Sequence, residues 1–219
     1  MAEEAKVTAE ANEPRFLKEA LFLAESYTDM LERRDWLQKR SAGNWIYTKE
    51  MAIAELDNIT VSYENERVQS SNISNPTERI ALKLTDEFMA RKQAEMNAEH
   101  EACIAELAYL QWKIEVVETV WHERMKETQR AVFQLLYYQH KTFKEAESTL
   151  LRKKKKKFYD CSLVAVKEKL WVLFEKEIEF RVQSADERPF VEQLTAEANQ
   201  AFAVIEKEGS DEQTERKTG

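Results

Sequence analysis

The densest chemistry in this 219-residue chain is Arg152-Lys153-Lys154-Lys155-Lys156-Lys157, six cations in succession. Six like charges repel one another, so the run costs stability unless something offsets it. A phosphate backbone can do so, because lysine and arginine side chains neutralise phosphates and release their counterions. Charge alone does not separate that phosphate-binding reading from a solvated lysine run. The surroundings are unevenly charged. Residues 1–123 carry 14 basic and 24 acidic side chains, residues 124–181 carry 15 and 8, and the remainder carries 4 and 9. A basic block between acidic flanks can build a positive face on a protein whose net charge is −8, and the face governs where a polyanion docks.

Other reactive residues are sparse. His100 and Cys103 lie one helical turn apart with Glu99 beside them, but two ligands on one helix do not make a metal site. Cys161 stands in the basic block, where a positive field lowers a thiol pKa, and the ordinary reading is a buried thiol. Two cysteines 58 positions apart support no disulfide framework. His122 and His140 fall near expected helix ends, and the five tryptophans read as core. No pair of carboxylates stands out as an acid/base couple, so no enzymatic activity, cofactor or metal is expected. Glycine is absent between Gly43 and Gly209, which excludes a glycine-rich phosphate loop in the interior.

The elements that must position the basic run read as helices. Only 3 glycines and 3 prolines occur, too few for a turn-rich β fold. From Pro14 an apolar stripe through Phe16, Ala20, Leu23, Tyr27, Leu31 and Leu37 predicts one helix ending near Ser41-Ala42-Gly43-Asn44. A second helix is expected from Thr48 to Asp57 with Met51, Ala54 and Leu56 inward. Ile59, Val61 and Tyr63 alternate with polar residues, a weaker strand pattern without a partner. Residues 64–75 form a polar linker that ends at Asn75-Pro76-Thr77-Glu78, a helix start signal. The long helix that follows places Cys103, Leu107, Leu110, Ile114, Val117 and Trp121 on a heptad seam. Its partner is either the N-terminal helices or a second chain. No run of eighteen apolar residues and no secretory leader pattern occurs, so neither membrane spanning nor secretion is expected.

Beyond Lys126 the spacing changes. Ala131, Val132, Leu135, Leu136 and Tyr138 outline a short amphipathic helix, and Gln139, His140 and Lys141 a turn. Thr142 and Glu145 have capping-box spacing for a second short helix to about Thr149, with Phe143, Ala146 and Leu150 inward. The lysine run then leads into a third helix anchored by Phe158, Leu163, Val166 and Leu170. Three such helices in about fifty residues match a helix-turn-helix DNA-binding unit. The candidate DNA contacts are Thr142, Lys144, Arg152, Lys153, Lys154, Lys155, Lys156 and Lys157. Lysine supplies affinity and position more readily than base choice, and only Arg152 is a bidentate base reader.

Residues 58–175 resemble the RinA/ArpU-type late-transcription regulators encoded by phages of Gram-positive bacteria. The likeness rests on Ser71-Asn72-Ile73-Ser74-Asn75-Pro76-Thr77-Glu78-Arg79-Ile80-Ala81, on Leu135 to Glu145, and on Phe158-Tyr159 followed by Ala165-Val166. The resemblance implies a fold like sigma factor region 4, adds Tyr159 to the DNA contacts, and suggests double-stranded DNA and host RNA polymerase as partners in the bacterial cytoplasm. Tyr137 replaces the family's arginine, Lys141 its turn glycine, Phe143 its tryptophan, Glu147 a packing alanine and Lys154 a capping serine.

The sequence thus implies an all-α protein with N-terminal helices packed on a long central helix, followed by a helix-turn-helix unit. Its expected segments are 14–63 (N-terminal helices), 64–75 (linker), 76–122 (central helix, scaffold or dimer seam), 126–182 (helix-turn-helix) and 205–219 (flexible acidic tail). The expected function is sequence-specific regulation of phage late genes. The alternative is a helical structural or DNA-packaging protein that uses the basic patch without sequence choice.

Overall fold

Apolar residues at three-to-four spacing, with little glycine or proline to interrupt them, give elements that are all helices among the described residues. The computed structural model describes residues 15–62, 85–153 and 163–218. Among them run α1 (Leu17–Glu25), α2 (Tyr27–Ser41), α3 (Lys49–Ser62), α4 (Asp86–Thr119), α5 (Glu127–Phe133), α6 (Phe143–Lys153), α7 (Leu163–Val182) and α8 (Arg188–Thr218). Helices α4 and α5 each end in a π turn, at Val120–Arg124 and Gln134–Tyr138. No helix among the described residues is long and apolar enough to cross a membrane.

Two compact units divide the chain, residues 35–108 and the combination of 1–34 with 109–219. In the first, the loop after α2 is held by side chains rather than by a sheet. Gln93 of α4 accepts from the Tyr47 N–H at 2.8 Å and donates to the Trp45 carbonyl at 2.8 Å. The Trp45 indole N–H reaches the Arg40 and Ser41 carbonyls at 3.2 and 3.3 Å, satisfying groups that the end of α2 leaves open. The heptad seam closes within one chain here, since Cys103 is buried with its sulfur 3.9 Å from the Leu37 carbonyl. Helix α3 buries Ala52, whereas Met51 and Ala54 are exposed, contrary to the expected inward set. Ile59 and Val61 belong to α3 and not to a strand.

The larger unit has its core where α1, α4, α5, α7 and α8 meet. Ala20, Leu23, Val116, Val117, Val120, Val132, Phe133, Leu170, Phe174, Ile178 and Leu194 are essentially inaccessible. Each fully buried large apolar side chain contributes about 1.5–3 kcal/mol relative to exposure, so this cluster dominates the stability of the unit. α8 packs on α1 and α7, and α1 also packs on α7. The first helix of the N-terminal segment is therefore built into the core of the larger unit, against α7 and α8.

Several boundaries differ from expectation. The first helix is broken at Ser26, whose hydroxyl donates to the Phe22 carbonyl at 2.6 Å, a back-bond that competes with the helical ladder. The stop at Ser41–Gly43 forms as expected, and a Cβ on Gly43 would lie 3.0 Å from the Arg40 carbonyl oxygen. Ile104, Ala108 and Trp112 widen the apolar stripe of α4 in the sequence, yet Ile104 and Ala108 are exposed and only Trp112 is buried. Trp36 is 45% exposed rather than core. Residues 205–218, expected as a flexible tail, continue α8. The linker 64–75 and the start signal at Asn75-Pro76 lie outside the described residues.

Candidate nucleic-acid interface

The turn between α5 and α6 is the local feature on which the candidate interface rests. A π turn widens the end of α5, and the Gln139 N–H donates to the Gln134 carbonyl at 2.9 Å. His140 follows with φ +48°, the left-handed conformation that commonly ends helices. The Lys141 N–H then returns to the Leu135 carbonyl at 2.9 Å. The sequence resemblance would set a turn glycine at Lys141, but the left-handed residue is His140, so Lys141 carries no such strain. His140 is held from outside, its Nε2 lying 2.8 Å from the Thr28 hydroxyl.

Thr142 and Glu145 form the reciprocal cap that the sequence predicts. The Thr142 N–H and hydroxyl donate to Glu145 Oε2 at 3.0 and 2.8 Å, and the Glu145 N–H donates to the Thr142 hydroxyl at 3.4 Å. The Thr142 hydroxyl, and then its backbone N–H, hold the Glu145 carboxyl below its ordinary value. Helix α6 buries Ala146 and Leu150 and leaves Lys144 and Glu147 exposed, as is Thr142 at its cap. Phe143, expected inward, is 43% exposed. Glu147 therefore meets solvent and not a helix–helix contact.

The rest of the basic set divides at the end of α6. The spacing predicts a stop near Thr149, but the helix runs to Lys153, so Arg152 and Lys153 close the second helix instead of opening the third. Lys154, Lys155, Lys156, Lys157 and Tyr159 lie outside the described residues, as do Phe158 and Cys161. Helix α7 is anchored as expected by buried Val166 and Leu170. Tyr137 turns its ring into this junction, 5.7 Å from Trp171 and 5.4 Å from Phe133. Its hydroxyl is buried without a hydrogen-bond partner among the described residues, and burial pushes its pKa up.

No protein-family model, curated protein or solved structure matches the chain.

Sequence reading missed the polar centre of the same unit. Arg181, 8% exposed at its side chain, donates to Glu177 Oε1 at 3.1 Å, Glu187 Oε2 at 3.1 Å and Glu115 Oε1 at 3.3 Å. Burial would pull the guanidinium down, but the Glu177 hydrogen bond and the charges of Glu187 and Glu115 outweigh it and raise its pKa. Glu187 also accepts from the Trp112 indole at 2.8 Å. The available signal is the i, i+4 spacing of Glu177 and Arg181 within an apolar helix. The imagined metal ligands are otherwise engaged. His100 stacks on Trp45 with centroids 4.7 Å apart, and Glu99 pairs with Arg40 at 3.5 Å. Among the described residues no three ligating side chains gather.

Proposed function

We propose that the chain is a sequence-specific DNA-binding transcriptional regulator that uses residues 126–182 as a helix-turn-helix, in the manner of the phage late-gene activators it resembles. The observation that supports this most is the short turn 139–142, where left-handed His140 and the Thr142–Glu145 cap join two short helices. That turn leaves Thr142 and Lys144 exposed at the start of α6, the helix whose last residues are Arg152 and Lys153. In this reading Thr142, Lys144 and the lysines through Lys157 hold phosphates, Arg152 and Tyr159 approach the bases, and host RNA polymerase is the protein partner.

One observation favours the second reading, a helical structural or packaging protein that grips DNA without sequence choice. Cys103, Leu110, Ile114 and Val117 of the seam are buried within a single chain. A dimer through that seam, which would fix the spacing of two half-sites, is therefore not required by the fold. The two readings share the basic run. Replacing Lys153–Lys157 by alanine is expected to abolish binding to duplex DNA while far-UV circular dichroism is retained. The log–log salt slope should fall by about 0.9 for each phosphate no longer neutralised. Unchanged affinity in that variant removes the patch from both readings.

A further inference from the structure

Phe143 is the first residue of α6 and follows the turn directly. Its spacing to the buried Ala146 and Leu150 suits an inward side chain, yet the ring stays exposed. The neighbouring aromatics are covered. Phe133, Tyr137, Tyr138, Trp171 and Phe174 each lie against another ring, whereas Phe143 meets none among the described residues. On either side of it in the chain, Thr142 and Lys144 are exposed. The Glu145 carboxylate is turned back onto the Thr142 hydroxyl at 2.8 Å. An uncovered ring thus stands between two candidate phosphate contacts.

We propose that Phe143 reads the 5-methyl group of thymine in the major groove of DNA, an inference that rests on the DNA-binding reading above. In helix-turn-helix proteins the helix after the turn enters that groove, with its N-terminal residues at the base edges. Helix α6 is the one that follows the turn, and Phe143 begins it. Thymine is the base that presents an apolar group in the groove, and phenylalanine is among the side chains that meet it. The apolar surface of a protein partner is the competing cover for the ring. The cations Lys141, Lys144, Arg152 and Lys153, along the same turn and helix, favour a polyanion instead. Glu147, exposed one helical turn beyond Phe143, suits a base edge rather than a phosphate, since a carboxylate accepts from the cytosine amino group. The lysine run supplies affinity with little base choice, and Phe143 adds selectivity that the run lacks.

The test starts from a pool of random-sequence DNA duplexes, from which the full-length protein selects its tightest sequences. Each thymine of a selected duplex is then replaced singly by uracil, which removes the methyl group and leaves base pairing intact. At one position, or at two adjacent ones, the wild-type protein should lose about fourfold in affinity, the worth of one buried methyl group. Phe143→Ala should bind the thymine and uracil duplexes equally at those positions. Lys144→Ala should weaken both alike, because a phosphate contact carries no base information. Methyl dependence at no position in the wild-type protein overturns the proposal while leaving DNA binding in place, as does the same dependence in Phe143→Ala. Failure to select any sequence overturns it together with the reading on which it rests.

Discussion

Replacing Arg181 with alanine removes the cation at the centre of the buried cluster and leaves its three carboxylates to find other partners. They do not lose equally. Glu115 is 67% exposed, so solvent takes over and little is lost. Glu187 is 32% exposed and keeps its 2.8 Å bond from Trp112. Glu177 is 3% exposed and, among the described residues, retains only Arg124, 3.4 Å away and itself 53% exposed. The cost is therefore that of one buried carboxylate stripped of its main partner, about 3–5 kcal/mol. With a urea m-value of about 2 kcal/mol/M for a domain of this size, the midpoint of unfolding should fall by about 2 M. The double substitution Glu177→Leu with Arg181→Met removes both charges together. It should recover most of the loss, because apolar replacements of a buried pair are often neutral or better. A midpoint shift below about 0.5 M for Arg181→Ala, on the same m-value, would refute the reasoning. So would a double variant less stable than the single one.

Three further outcomes follow from the same packing and hydrogen bonds. The Glu145 carboxyl should titrate below 4.5, its cap stabilising α6 fully above that pH and losing its hold as pH falls through the lower folded value. Carbon-13 NMR of Glu145 reads this directly, Thr142→Val should return the midpoint to the ordinary range, and a wild-type midpoint at or above 4.5 would contradict it. Burial, reinforced by Glu118, pushes the Tyr27 phenol up to about 12. Its folded pKa is raised, so its contribution is present below pH 10 and lost between 10 and about 12. The absorbance difference between wild type and Tyr27→Phe should show ionisation near the upper value, and ionisation near 10 would count against it. Phe133 is fully buried, with ring centroids 5.2 Å from Trp121 and 6.1 Å from Phe174. Phe133→Ala should cost about 3–5 kcal/mol in urea unfolding, and a loss under about 1 kcal/mol would show that the cavity collapses freely.

The features legible in the sequence are those set by residues close together along the chain. The Thr142–Glu145 cap needs only a hydroxyl and a carboxylate three positions apart. The seam from Cys103 to Val117 needs only its heptad spacing, and Ser41–Gly43 carries its own stop. What escapes a sequence reading depends on distant partners or on backbone geometry. Ser26 breaks the first helix through a hydroxyl back-bond that apolar periodicity does not register. Placing His140 rather than Lys141 in the left-handed position follows from the π turn before it, which shifts the register by one residue. Helix α8 is masked by its acidic, polar composition, yet Val191, Leu194 and Ala198 form a buried stripe against α1 and α7. Arg181 reads as a surface cation, and only the fold brings three carboxylates to it from α4, α7 and the turn before α8.

The most direct measurement of the central claim is selection of fragments from a matched phage and host genome by the purified protein, at about 0.15 M salt where surface charge is already screened. Sequencing of the recovered fragments should show a few sharply enriched sites upstream of late genes, lost when Lys153–Lys157 are alanine. Uniform recovery across the genome would contradict sequence-specific regulation and leave the basic run as a phosphate clamp. Recovery of no DNA at all would contradict both readings and leave the helix-turn-helix as shape alone.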